Sequence, residues 1–248
     1  GLKEQPFLDI IYSTKKRLFL NKLEFEREWN MNKEWSELNK TMQAQIKKKD
    51  TYKMGIDTLF NLRRQLMQTL VSFKEDLCRE DFNAIPFINA DGYHSKTIAY
   101  SIWHIFRIED IVAHTVITED EQVFFTGNYQ VRINSPIITT GNELVKQQIA
   151  DFSKQLNLEE LYSYIFEVRE STEKILERFS YDELKWKIPD ERKGYLKSLN
   201  VVNCDEKAIW LIDYWCNKDI CGLIQMPFSR HWIMHTEACL RIKNKIHS

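Results

Sequence analysis

Turn-forming residues are scarce in this chain. Its 248 residues hold only 7 glycines and 5 prolines, where average usage of roughly 7% and 5% would give about thirty together. Few sharp turns require long regular elements, so an all-α fold is expected. With 43% hydrophobic residues the chain can bury the core of one large domain or two small ones. Lys and Arg number 35 against 36 Asp and Glu, a net charge of -1. That balance creates no field to attract nucleic acid or an anionic membrane, and the runs Lys15-Lys16 and Lys47-Lys48-Lys49 read as solvated helix faces. The cysteines Cys78, Cys204, Cys216, Cys221 and Cys239 form no C-x-x-C pair, which fits neither a disulfide framework nor a zinc finger. No apolar run reaches about eighteen residues, and no secretory signal pattern opens the chain. A soluble, cytoplasmic protein is the expectation.

Periodicity places the helices. Phe7, Ile10, Ile11, Leu18 and Phe25 recur at helical spacing over residues 6–30, and NKEWSELNKTMQAQIKKK predicts a second helix after a polar break at Asn30 to Asn32. The apolar stripes of residues 1–50, including Trp29 and Trp35, are too few to enclose a core and are expected to pack on the remainder. MGIDTLFNLRRQLMQTLVSF carries a broad apolar face. Ser95 is placed to cap a long central helix, SKTIAYSIWHIFRIEDIVAHTVI. The β-branched EQVFFTGNYQVRINSPIITT fits a long ordered loop or a short hairpin equally. Helical pattern resumes over 141–155, 158–179, 205–220 and 229–246.

The last of these segments contains SRHWIMHTEACLRIK, with His231 and His235 one helical turn apart and therefore on one face. Such a pair can offer two nitrogens to one metal ion, or can be two core histidines bonded to backbone. Cys239 continues the stripe, but eight residues of helix span about 12 Å, and metal bonds are about 2.0–2.3 Å. Cys239 is thus expected to be a small buried hydrophobe. A third ligand must come from another helix. His247 stands near the end, His94 lies in a loop, and His104 and His114 are about 15 Å apart along one helix. His114, one turn after Asp110, suggests an exposed ion pair. His104 is enclosed in SIWHIF, where a buried imidazole without a partner costs roughly 1–3 kcal/mol. A shared metal would satisfy it. Trp232 stands where the glutamate of H-E-x-x-H would be, so no general base accompanies the pair. Arg107, Arg63 and Arg64 are each readable as anion anchors or as partners of a carboxylate.

The combination of SIWHIFRIED with RHWIMHTEACLRIK, 127 residues apart between His104 and His231, resembles the DinB/YfiT-like superfamily over residues 51–246. The resemblance implies a four-helix bundle of up-down-down-up topology, in which His104, His231 and His235 hold one divalent ion, commonly nickel or zinc. It implies a domain over 51–248, with additional N-terminal helices over 1–50 and a long inserted loop over 119–141 as departures from the compact pattern. Known relatives include thiol S-transferases that use low-molecular-weight thiols and a mycothiol-dependent maleylpyruvate isomerase.

The function expected from these residues is metal-dependent. Three neutral imidazoles leave coordination positions open, where a thiol could become a thiolate or a water could be activated for hydrolysis. The competing reading is a non-catalytic helical stress-response or binding protein with a structural or vestigial metal site. A plain helical protein with core histidines is a third. The expected partners are a small-molecule thiol or electrophile, with no nucleic acid and no membrane. A homodimer is left open.

Overall fold

The computed structural model describes the backbone of residues 5–248, and the side chains of residues 16–248 apart from residue 21. Among these residues the chain is all-α and has no β-strand; one isolated bridge pairs Lys187 with Asp219. No helix is long and apolar enough to cross a membrane.

The break expected at Asn30 to Asn32 is absent, and α1 (Gln5–Ile46) runs through it as one helix. Asparagine inside a helix costs only tenths of a kcal/mol, about 0.7 at most. Against that, Glu28, Trp35, Asn39, Met42 and Ile46 form a continuous buried stripe at helical spacing. α2 (Tyr52–Asp76) folds back along this stripe. The two helices approach closely at Gly55, where a Cβ would stand 2.8 Å from the Ile46 nitrogen. Trp35 is 1% exposed, but Trp29 is 66% exposed. Phe7, Ile10 and Ile11 lie outside the described side chains.

After α3 (Arg79–Asn83) and a single turn at Gly92–His94, α4 (Ile98–Asp110) enters the centre of the molecule with every side chain buried. Its cap is Thr97, whose Oγ1 accepts from the Tyr100 amide at 3.0 Å. Ser95, the expected cap, instead donates to the Gly92 carbonyl. α4 continues as a π-helical stretch, Ile111–Thr118.

Residues 119–141 form no hairpin but a long ordered segment. They hold two short helices, α5 (Val123–Thr126) and α6 (Tyr129–Ile133). Buried side chains of α4 supply the partners that a strand would have found in a sheet. The Asp110 carboxylate accepts from the amides of Val123 and Phe124, and the Arg107 guanidinium donates to the Ile138 carbonyl and to Gln122 Oε1. Asn128 and Asn134 take left-handed turns at φ 53° and 60°, which asparagine tolerates better than most residues.

The remaining helices are α7 (Gln147–Gln155), α8 (Leu158–Glu177), α9 (Glu191–Ser198), α10 (Glu206–Cys216) and α11 (Ile220–Ile224). A π-helical stretch, Met226–Arg230, then leads into α12 (His231–His247). α4 packs against both α8 and α12, and α2 packs against the same two. One ionic network joins all four. Arg63 of α2 forms a two-pronged bond with Glu109 of α4 at 2.7 and 3.0 Å, and reaches Glu173 of α8 at 3.0 Å. Trp232 of α12 donates its indole N–H to Glu109 at 2.7 Å and lies under the Arg63 guanidinium. Arg63 is therefore a partner of carboxylates, as is Arg107 through Asp110. Arg64 bonds Asn61 on the surface, and among the described residues pairs with no carboxylate.

Candidate metal centre

α12 begins at His231, and the following turn brings His235 onto the same face. Opposite stands His104, halfway along α4. The three rings are 4%, 7% and 4% exposed for His104, His231 and His235 respectively. One nitrogen of each lies within 4.8 Å of the others, so the group could hold a metal ion.

The orientation of His104 is set by a main-chain acceptor. Its Nδ1 lies 2.6 Å from the carbonyl oxygen of Thr140, and a carbonyl can only accept, so Nδ1 carries the proton. Nε2 is left as a lone pair, and it faces Nε2 of His231 at 3.3 Å. Either a proton or a cation must sit between them. Two nitrogens bonded to one tetrahedral ion at about 2.0–2.1 Å stand about 3.3–3.4 Å apart, which matches. Partnership of a ligand's far nitrogen with a carbonyl is also what metal-binding histidines ordinarily show. Among the described residues the Nδ1 atoms of His231 and His235 have no hydrogen-bond partner. These two nitrogens are unpartnered on either reading, since core histidines and the far nitrogens of metal ligands are both normally bonded. The residues present therefore could hold a divalent cation.

Electrostatics favour the neutral, ligating form. Burial pushes His104 down to about 4, and burial with the neighbouring imidazoles pushes His231 and His235 well below the ordinary histidine range. All three are uncharged at neutral pH, as ligation by imidazole requires.

The site depends on residues that the sequence reading did not single out. Tyr100, one turn before His104, stacks on its ring at 5.3 Å between centroids and donates its hydroxyl to the Gly141 carbonyl at 2.9 Å. The chain passes Thr140 and Gly141 so closely that a Cβ on Gly141, already at φ +77°, would stand 2.9 Å from Tyr100. The end of the supposed insertion thus holds His104 in place.

A cavity of about 270 Å³ opens on the three histidines, walled by residues of α10 such as Trp210 and Tyr214, by Met226 and Met234, and by Tyr100 and Lys96. Among the described residues none of α1 lines it, and neither do Arg63, Arg64 or Arg107.

The other histidines stand apart. His94 accepts from Arg241, and His247 lies 3.5 Å from Asp81. His114 is buried rather than exposed, and its partner is not Asp110: its two nitrogens meet Asp120 at 2.6 Å and Ser171 at 2.8 Å. The left-handed residue Glu119 turns the chain so that Asp120 returns onto the helix end. Serine, histidine and aspartate here follow the order of a nucleophile relay, but Ser171 lies in mid-helix on α8 and lines none of the main cavities. Cys239 is buried and outside the metal group, with burial pushing its thiol up to about 12. Compared with known proteins, the chain matches no family model and no curated protein sequence.

Proposed function

We propose that the chain is a metal-dependent enzyme of the DinB-like type, holding one divalent ion through His104, His231 and His235 and transferring a low-molecular-weight thiol to an electrophile. The observation that carries this is the bond from His104 Nδ1 to Thr140, which leaves Nε2 bare and 3.3 Å from His231. The mutual packing of α2, α4, α8 and α12 supports the bundle reading. A three-imidazole set suits zinc or nickel. Five free cysteines accord with a reducing, cytoplasmic setting.

A divalent ion bound there supplies Lewis-acid chemistry, lowering the pKa of a thiol or water that joins it. The chain's own residues do the rest. Thr140 keeps the proton on the far side of the His104 ring, and Tyr100 stacks on that ring to hold its plane. Apolar walls lower the local dielectric, which strengthens the field of any charge at the site. Among the described residues no carboxylate lines the cavity. A thiol needs no base beyond the ion, whereas attack by water gains from one, so thiol transfer is the better-supported branch.

Metal-loaded protein should consume L-cysteine in the presence of an activated aryl halide faster than metal-free protein does, and His104→Ala should remove the difference. Loaded protein that neither transfers thiols nor hydrolyses esters would point instead to a non-catalytic binding protein with a structural ion.

A further inference from the structure

The cavity beside the three histidines has an unusual charge balance. Fifteen residues line it, and none is Asp or Glu. The one cationic side chain among them is Lys96, two residues before α4. Lys96 is half-buried, and among the described residues it makes neither an ion pair nor a hydrogen bond. Its ammonium stands over the face of Tyr100, whose ring centroid lies 5.3 Å from Nζ. Glu143, whose charge is felt by Tyr100, accepts from Thr139 through one carboxylate oxygen, keeps the other buried without a hydrogen-bond partner among the described residues, and does not line the cavity. The lysine charge reaches the histidines, helping to lower both His104 and His235.

An ammonium withdrawn from water without a counter-charge is costly to a fold. Here it stands in a pocket otherwise walled by Trp210, Tyr214, Trp215, Met226 and Met234. The pocket is electropositive with an aromatic and thioether lining, and a bound divalent ion would make it more so, because its three ligands are neutral. A partner of opposite charge with a flat, apolar body answers both features: the anion pairs with Lys96, and the body stacks on the indoles. At about 270 Å³ the cavity falls just under the roughly 300–1,000 Å³ of pockets for drug-sized ligands. The occupant is therefore small.

We infer that Lys96 is the specificity-determining residue of this site and that the substrate is a small organic carboxylate with an aromatic or branched apolar body, its carboxylate paired to the Lys96 ammonium. The inference rests on the proposed function in taking this cavity as the substrate site. It does not require the ion to be present. Lys96 touches the non-reacting end of the substrate, which leaves the opposite end to face the histidines.

The test uses phenylacetate and its neutral isostere phenylacetamide as probes, with binding followed by quenching of tryptophan fluorescence from Trp210 and Trp215. Full-length protein as purified is compared with Lys96→Gln and Lys96→Arg, with circular dichroism and metal content recorded on every sample. A charge-assisted bond predicts that the wild type binds phenylacetate about tenfold or more tightly than phenylacetamide. Lys96→Gln should bring that ratio down about tenfold at unchanged metal content, and Lys96→Arg should keep it near the wild-type value. A wild type that shows no preference for the anion overturns the inference. So does a folded Lys96→Gln whose ratio stays within about twofold of the wild type, and so does failure of phenylacetate to bind at low millimolar concentration. The metal reading fails separately, by the absence of any ion from all samples, and the probe ratios remain readable in that case.

Discussion

A single main-chain oxygen decides what His104 can do. Because the Thr140 carbonyl takes the proton of Nδ1, Nε2 is presented as a lone pair towards His231, and the site becomes a set of donors rather than a stack of core rings. Gly141 makes that arrangement affordable, since its φ of +77° and the 2.9 Å approach to Tyr100 leave no room for a side chain. Gly141→Ala is therefore expected to cost about 1–3 kcal/mol in backbone strain and crowding, and to lower metal occupancy by displacing Thr140. Urea unfolding and elemental analysis of the variant check both; unchanged values would mean that the turn does not hold His104. The histidine pair was legible in the sequence because a four-residue spacing is local information. His104 was legible through its apolar neighbours. Thr140 was not, because its contribution is a carbonyl that any residue carries, brought to α4 from 36 positions away. His114 was misjudged for a similar reason: the carboxylate one turn before it was visible, whereas Asp120 and Ser171 reach it only after the chain turns.

Among the elements, α1 shows how packing overrides local preference. Its asparagines resemble a break, but the buried stripe from Glu28 to Ile46 runs across them. Trp35 lies within that stripe at 1% exposure and Trp29 outside it at 66%. Trp35→Ala should thus destabilise the protein by about 3–5 kcal/mol, while Trp29→Ala should change stability by no more than about 0.5 kcal/mol. Chemical denaturation of the two variants decides it, and equal effects would mean that α1 is not anchored through this stripe. Residues 119–141 illustrate the converse. Their β-branched composition resembles a strand, but Asp110 and Arg107 satisfy the backbone from within α4. No pattern inside the segment reveals that, because its partners lie on another element.

On the scale of the whole molecule, four helices meet on the Arg63–Glu109–Glu173 network, and the histidine site joins two of the same helices, α4 and α12. Such a core protects its acids from ionisation. Burial pushes Cys239 up to about 12 and raises Tyr162 and Tyr164 above the ordinary phenol range. In the unfolded chain a thiol ionises near about 8.5 and a phenol near about 10. Above those values the unfolded state releases protons that the folded state keeps, so stability must fall as pH rises. The slope for each such group is about 1.4 kcal/mol per pH unit. Urea midpoints should decline from pH 8.5 upward and more steeply beyond pH 10; a flat profile across that range would show that these groups are not buried as described. The metal centre itself is tested most directly by elemental analysis of protein purified without a chelating column. The account predicts about one equivalent of zinc or nickel per chain, lost on Ala substitution of His104, His231 or His235 and retained on substitution of His94, His114 or His247. Full metal content in His104→Ala, or its loss in His114→Ala, would contradict the ligand set and remove the main physical support for thiol transfer.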